Sequence, residues 1–179
     1  MNSHLQLILG GARSGKSHYA LHEGNEDSFK PKVFLATATA QDEEMARRID
    51  RHRAERGFQW ETLEEPYDIL RILKTYSAAS EGLLVMDCAT LWISNLLCGL
   101  GGKALKAIEI EDLFKKFIQT LPGIKGHLRI ISNEVGLGIV PESALGREFR
   151  DLQGRFNQSV ASVADEVIFM VAGIPQKIK

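Results

Sequence analysis

Short apolar runs separated by amphipathic stretches follow one another along most of the chain. Buried strands are predicted for the runs at 5–9, 32–36, 82–87, 127–132 and 166–171, and an alternating stretch predicts a shorter strand at 58–62. Helices are predicted between them, at 17–23, 41–56, 66–80, 90–97, 107–120 and 142–164. Strands that alternate with helices predict an α/β fold, with a mostly parallel sheet and helices on both faces.

The ends of these elements give finer expectations. Pro66 suits the first turn of its helix, because its fixed backbone angle matches a helix start. The last predicted helix carries an apolar stripe that is expected to face the core: Leu145, Phe149, Leu152, Phe156, Val160 and Val163. After the final strand, the chain is expected to turn at 173–175 into a basic tail.

Composition limits the class of protein. The chain has 179 residues, 44% of them hydrophobic and 25% charged, which predicts a single globular domain over 1–179. A net charge of -1 gives no electrostatic case for a nucleic-acid partner. No apolar run approaches the roughly 20 residues of a membrane span, and no signal region begins the chain, so a cytoplasmic protein is expected. Cys88 and Cys98 are then expected to be buried, reduced thiols.

The main candidate for chemistry is Gly10-Gly11-Ala12-Arg13-Ser14-Gly15-Lys16-Ser17, which fits G-x-x-x-x-G-K-[ST] without a mismatch. Glycines let successive backbone N–H groups converge on phosphate oxygens, Lys16 adds a positive charge at the β- and γ-phosphates, and the Ser17 hydroxyl can ligate Mg²⁺. A strand precedes the motif and a helix follows it, as a phosphate-binding loop (P-loop) requires. The sequence therefore predicts nucleoside triphosphate binding.

Other polar and small residues follow the ends of the predicted strands. Asp87 ends the strand at 82–87 and either serves Mg²⁺ or caps the next helix. Thr37-Ala38-Thr39 forms either a ligand-facing loop or an ordinary connection, and Asn133 with Glu134 begins a long loop. Since the carboxyl ends of parallel strands meet at one edge, these positions are expected to surround the phosphate loop.

The helix predicted at 41–56 is rich in arginine. Met45, Ile49, His52 and Arg56 fall on one face, which places His52 among arginines but in line with an apolar stripe. A lone helical histidine is either a packing residue or a reacting group. The arginines form either a solvated face or a phosphate-binding cluster.

Several motifs in order resemble those of bifunctional adenosylcobinamide kinases / adenosylcobinamide-phosphate guanylyltransferases of cobalamin biosynthesis. They are the phosphate loop, Ala36-Thr37-Ala38, Asp42-Glu43-Glu44-Met45, His52-Arg53, Trp60-Glu61-Thr62, Asp87-Cys88, Asn95-Leu96-Leu97, the 133–141 loop and the ending at 173–179. The phosphate loop alone is not specific to the family, but its combination with His52-Arg53 and the 133–141 loop is.

The resemblance implies a P-loop NTPase fold of RecA-like type and a homotrimer. It implies phosphorylation of adenosylcobinamide with GTP or ATP, and then GMP transfer from GTP through a guanylyl-histidine on His52. Lys16 and Asp87 are the other implied catalytic residues, and Ser17 and Asp87 the implied Mg²⁺ ligands. Nucleotide contacts carry over to the following positions: Gly10 to Ser17, Ala36, Thr37, Ala38, Arg53, Ala54, Glu55, Arg56, Glu64 and Asp87.

Two departures from the family pattern concern the same helix. Arg51 replaces a second histidine that some members carry before the reacting one, and Gly57 stands where proline is frequent. Neither removes a reacting group. A plain P-loop small-molecule kinase, with His52 as a bystander, is the alternative function. A RecA-type nucleic-acid motor is disfavoured, because the near-neutral chain lacks a basic, aromatic-studded path for a strand.

Overall fold

The computed structural model describes residues 4–22, 29–40, 43–44, 47, 49, 53, 58–79 and 82–179. Its strands are β1 His4–Gly10, β2 Lys32–Ala36, β3 Glu61–Glu64, β4 Leu83–Asp87, β5 His127–Ile131, β6 Glu166–Val171 and β7 Ile174–Lys177. Its helices, within these ranges, are α1 Lys16–His22, α2 Ile69–Ala79, α3 Ala89–Cys98, α4 Ala107–Thr120 and α5 Ala144–Val163, with a 3₁₀ turn at Leu121–Gly123.

The seven strands form one sheet in the order β3-β2-β4-β5-β1-β6-β7. Every neighbouring pair is parallel except β6 and β7, which form an antiparallel hairpin. The register aligns Ala36, Asp87 and Ile131 across β2, β4 and β5, and Gly10 with Met170 across β1 and β6. The carboxyl ends of the parallel strands therefore share one edge, called here the carboxyl edge.

Side chains of the central strands alternate between two apolar clusters, one on each face of the sheet. Leu84 and Met86 of β4 join the cluster beneath α2 to α5, whereas Leu83 and Val85 join the cluster that includes Ala20 of α1. Trp92 and Phe156 pack at the centre of the larger cluster. The predicted α/β fold with helices on both faces is confirmed.

The predicted elements differ from the observed ones in four places. The helix expected from Pro66 begins at Ile69, so Pro66 lies before the helix and not in its first turn. The strand expected at 58–62 lies at 61–64, as the edge strand β3. In α5, Leu145 and Val163 are exposed, and the buried stripe is confined to the middle of the helix. The basic tail pairs with β6 as β7, where Pro175 is tolerated because an edge strand needs no donor on its outer side.

Other predictions fall outside the described residues or need correction. Most of the helix predicted at 41–56 lies outside the described residues, and so does His52. Cys88 is buried as expected, but Cys98 is exposed at the end of α3, so the expectation of a second buried thiol is wrong. Among the described residues, no helix is long and apolar enough to cross a membrane.

Candidate functional site

The phosphate loop connects β1 to α1 at the carboxyl edge. Gly10 has φ 151°, and a Cβ there would lie 2.6 Å from the Met170 carbonyl oxygen and 2.6 Å from Ser14 Oγ. Only glycine satisfies both the backbone angle and this close approach. The loop residues Gly11, Ala12 and Arg13 are exposed, so their side of the loop is open to a ligand.

Lys16 lies with its ammonium folded over this loop. Only 8% of the residue is exposed, and Nζ donates to the carbonyl oxygens of Gly10 at 3.1 Å and Gly11 at 2.6 Å. Burial lowers the pKa of Lys16 below its ordinary value, although the neighbouring Cys88 and Asp87 oppose that shift. A buried ammonium held by the carbonyl oxygens of Gly10 and Gly11 and by the Ser14 hydroxyl favours the arrival of an anion.

Ser17 and Asp87 join the start of α1 to the end of β4. The Ser17 hydroxyl donates a hydrogen bond of 2.7 Å to Asp87 Oδ2. The next helix is capped by Cys88, whose sulfur accepts from the N–H of Leu91, so helix capping is not the role of Asp87. Two oxygen ligands side by side at a phosphate loop suit Mg²⁺, which usually takes one or two protein oxygens plus phosphates and water. Among the residues that the structure describes, no three His, Cys, Asp or Glu side chains cluster as a separate metal site.

Thr37 fastens the segment after β2 to the segment after β4. Its hydroxyl donates to the Cys88 carbonyl and accepts from the Cys88 N–H, each over 2.8 Å. Asn95 Nδ2 donates to the carbonyls of Thr37 and Pro66, so one buried amide attaches the segments after β2 and β3 to helix α3. Thr37 is fully buried, whereas Ala36 and Ala38 are half-buried beside it. The sequence indicated Asn95 only as part of the family pattern. A polar residue within an otherwise apolar helix was the signal that could have predicted a buried, hydrogen-bonded side chain here.

Arg53 of the arginine-rich segment lies at the carboxyl edge. Its guanidinium forms an ion pair with Glu64, the last residue of β3, and both side chains are about half exposed. Glu64 aligns with Ala36 at the carboxyl edge, on the outermost strand of the sheet. His52, Ala54, Glu55 and Arg56 lie outside the described residues, so the structure brings together only Arg53 and Glu64 from that group.

The segment after β5 is attached to the same loop. The N–H of Glu134 donates to the Gly10 carbonyl at 3.2 Å, and the N–H of Asn133 donates to Thr90 Oγ1 at 2.8 Å. Behind them lies a buried polar cluster of Ser132, Gln153 and Asn157, joined by hydrogen bonds of 2.7 to 3.0 Å.

Sequence reasoning missed Gln153 and Asn157 as members of this cluster. They stand four residues apart, each immediately after a member of the α5 apolar stripe, Leu152 and Phe156. Polar residues repeated beside a buried stripe were the signal that points to an internal hydrogen-bond network.

The last hairpin also contacts the phosphate loop. The N–H of Gly173 donates to the Ser14 carbonyl at 3.0 Å, and a Cβ on Gly15 would lie 3.3 Å from Gly173 Cα. The hairpin is further tied down by Glu166, which accepts from Lys177 and from Gln6 of β1. The turn between β6 and β7 thus supports the back of the loop.

Comparisons with known proteins show which family this chain resembles. The family described as cobinamide kinase / cobinamide phosphate guanyltransferase matches residues 6–178. The chain is 42% identical to the bifunctional adenosylcobalamin biosynthesis protein CobP of Pseudomonas aeruginosa, over 97% of this chain and 96% of that protein. It is 38% identical to CobU of Salmonella typhimurium, over 97% of this chain and 98% of the relative.

A solved structure supports the fold alone. A type III secretion system ATPase from pathogenic bacteria superposes with a TM-score of 0.54 at 15% identity, covering 93% of this chain and 50% of that one. The RecA-like P-loop fold expected from the resemblance is confirmed. Because these matches cover nearly the whole chain, the chain belongs to the cobinamide kinase / cobinamide phosphate guanyltransferase family.

Proposed function

We propose that this chain phosphorylates adenosylcobinamide with GTP or ATP and then transfers GMP from GTP to the new phosphate. The products of the second reaction are adenosylcobinamide-GDP and pyrophosphate. The observation that carries the proposal is the arrangement of Lys16 over its loop beside the Ser17–Asp87 pair, in a member of this family.

The residues of the loop have a clear part in the first reaction. Backbone N–H groups of the loop bind phosphate oxygens, and Lys16 exchanges its carbonyl partners for β- and γ-phosphate oxygens. The ammonium then stabilises the charge that develops as the γ-phosphoryl group leaves. Ala36 and Ala38 leave space for the nucleotide beside the loop, while Thr37 keeps the segment in place.

Magnesium fits the residues present. Ser17 and Asp87 would hold the ion, because their oxygens already lie 2.7 Å apart and the serine hydroxyl can turn from the carboxylate to the metal. When bound, the ion neutralises charge on the phosphates.

The second reaction is proposed to use His52. A neutral imidazole nitrogen attacks the α-phosphorus, an N–P bond forms, and the bond to the pyrophosphate oxygen breaks. The phosphate of adenosylcobinamide phosphate then attacks the same phosphorus and releases the imidazole. The ion pair between Arg53 and Glu64 supports this proposal, since it attaches the residue after His52 to the carboxyl edge. Arg56 is proposed to stabilise the triphosphate charge.

Intact-mass measurement after incubation with GTP and Mg²⁺ tests the covalent step. We expect a mass increase of one GMP through an acid-labile, alkali-stable bond, and its loss in His52→Ala. His22→Ala is the matched control, because His22 is an exposed helical histidine at the end of α1. An adduct that survives His52→Ala rejects His52 as the nucleophile. Phosphorylation of adenosylcobinamide without any adduct in the parent would indicate the plain kinase.

Assembly and location complete the proposal. A homotrimer is supported by exposed apolar side chains in the loop after β5 and on the last hairpin, namely Leu137, Ile139, Val171 and Ile174. Sedimentation should then give three times the 19.9 kDa of one chain. A cytoplasmic location is supported by two free thiols in a nucleotide-dependent enzyme.

A further inference from the structure

The loop after β5 brings a carboxylate to the phosphate loop. Glu134 lies three residues beyond the end of β5, and its N–H donates to the Gly10 carbonyl oxygen at 3.2 Å. The same oxygen accepts Lys16 Nζ at 3.1 Å. Glu134 is therefore bonded to the same Gly10 carbonyl oxygen that holds the Lys16 ammonium, the group proposed to bind the β- and γ-phosphates.

The Glu134 side chain is oriented by its own loop. Oε1 accepts from the N–H of Gly136 at 2.9 Å, and the residue is half-buried. The structure shows no hydrogen bond or ion pair to Oε2 within the part of the chain it describes. One carboxylate oxygen is thus held in place while the second is free to accept a proton.

The base of this loop is fixed by hydrogen bonds from two helices. Thr90 of α3 accepts from the N–H of Asn133, and Asn157 of α5 donates to the Asn133 carbonyl at 3.1 Å. Ser132 is fully buried and joins Asn157 and Gln153 behind them. The peptide bond between Asn133 and Glu134 is therefore held at its carbonyl by Asn157 and at its N–H by Gly10. This fixes the position of Glu134 relative to Gly10.

The other carboxylates at this edge already have partners. Asp87 accepts the Ser17 hydroxyl, and Glu64 pairs with Arg53. Glu65 accepts from Arg71 and from backbone N–H groups before α2. Glu134 differs from these three carboxylates because, among the described residues, it contacts neither a cation nor the serine hydroxyl.

We propose that Glu134 is the general base of the phosphoryl-transfer step, an inference that rests on the proposed function. The substrate hydroxyl oxygen forms a bond to the γ-phosphorus, and its proton passes to Glu134 Oε2. The bond from the γ-phosphorus to the bridging oxygen breaks, and the nucleoside diphosphate leaves with that electron pair. The guanylyl step has no hydroxyl proton to remove, so it does not need this base.

Glu134→Gln separates the two reactions. It keeps the size of the side chain and an oxygen for the Gly136 N–H, but the amide cannot accept the proton at neutral pH. We expect kcat for phosphorylation of adenosylcobinamide to fall by about 10²–10⁴-fold. The KM for the nucleotide should stay within about twofold, and the amount of covalent GMP per chain should not change, because neither depends on proton transfer.

Glu142→Gln is the matched control, since Glu142 is an exposed glutamate in the same loop. A kcat within about threefold of the parent in Glu134→Gln overturns the proposal. A parallel loss of nucleotide affinity and adduct also overturns it, because that pattern indicates a structural role only.

The rate of nucleotide hydrolysis, in which the γ-phosphoryl group passes slowly to water, provides a test that does not need adenosylcobinamide. If the parent does not phosphorylate adenosylcobinamide, the proposed function fails, and the role of Glu134 is decided by this hydrolysis. A water nucleophile also loses a proton, so Glu134→Gln should lower the hydrolysis rate. Unchanged hydrolysis rejects Glu134 as a base even then.

Discussion

The backbone N–H of Gly173 donates a 3.0 Å hydrogen bond to the carbonyl of Ser14, so the last hairpin directly supports the phosphate loop. Gly173 has φ 83°, a left-handed conformation that is unfavourable for residues with a Cβ. The turn at Gly173 therefore has a structural part in holding the phosphate loop, although it does not belong to the phosphate-loop motif.

Gly173→Ala should weaken nucleotide binding. A left-handed alanine costs about 1–2 kcal/mol, and any relief of that strain moves the N–H away from Ser14. Because 1.4 kcal/mol corresponds to a factor of about ten, we expect the Kd for ADP to rise by up to about tenfold, with a lower Tm. Calorimetric titration and thermal melting measure both effects.

Gly123→Ala is the control for this change. Gly123 lies in the 3₁₀ turn, has open space where a Cβ would be, and is remote in sequence from the loop. An ADP affinity in Gly173→Ala equal to that of Gly123→Ala would show that the hairpin contact does not influence the loop.

Lys16 should make nucleotide binding depend on pH. Burial lowers the pKa of the free ammonium, and bound phosphates raise it again, so binding takes up a proton above the pKa of the free protein. Affinity for ATP should therefore fall as pH rises over the alkaline range, through this lowered pKa, by no more than about tenfold per pH unit. The same shift makes the unliganded fold more stable as pH rises through that pKa, because the unfolded chain then binds more protons.

Lys16→Arg tests whether this dependence belongs to Lys16. A guanidinium stays charged throughout that range, so the variant should bind ATP more weakly at neutral pH but with a flat pH profile. An unchanged slope in Lys16→Arg would assign the proton uptake to another group.

Asp87→Asn should remove much of the benefit of Mg²⁺. The amide oxygen can still accept from Ser17, so the unliganded loop is preserved, but the negative charge that attracts the ion is lost. We expect the gain in ATP affinity on adding Mg²⁺ to fall by about 10–100-fold. Asp112→Asn, an exposed change in α4, should leave that gain unaltered. Equal responses of both variants to Mg²⁺ and to its removal by a chelator would exclude Asp87 as a ligand.

The two cysteines should differ in reactivity. Burial raises the pKa of the Cys88 thiol to about 12, and the neighbouring Asp87 carboxylate adds to the shift, so almost no thiolate exists near neutral pH. Cys98 is exposed at the end of α3. Iodoacetamide should add one label to the native chain and two in denaturant, and Cys98→Ser should remove the native label. A native label on Cys88, found by peptide mapping, would contradict this prediction.

The sequence predicted the central strands because each is a short apolar run buried on both faces, as Leu83 to Met86 illustrate. It also predicted that Ser17 and Asp87 approach each other, since parallel strands align their carboxyl ends. It could not predict β7, because the short stretch Ile174–Lys177 is exposed and pairs only by turning back at Gly173. Nor could it predict which carboxylate lacks a partner, because that depends on contacts such as the one between Arg53 and Glu64.

A final prediction concerns two glycines in the long helix α5, Gly154 and Gly146. A Cβ on Gly154 would meet no atom within 4 Å, so Gly154→Ala should only reduce the entropy lost on folding. We expect the free energy of unfolding to rise by about 0.8–1.0 kcal/mol, and Tm by about 2–4 °C. Gly146→Ala places its Cβ 2.9 Å from Pro141 Cβ and Ser143 Oγ, so it should lower Tm instead. Thermal melting of both variants compares helix propensity with packing in one helix. A lower Tm for Gly154→Ala would indicate that this face of α5 is covered when the chain assembles.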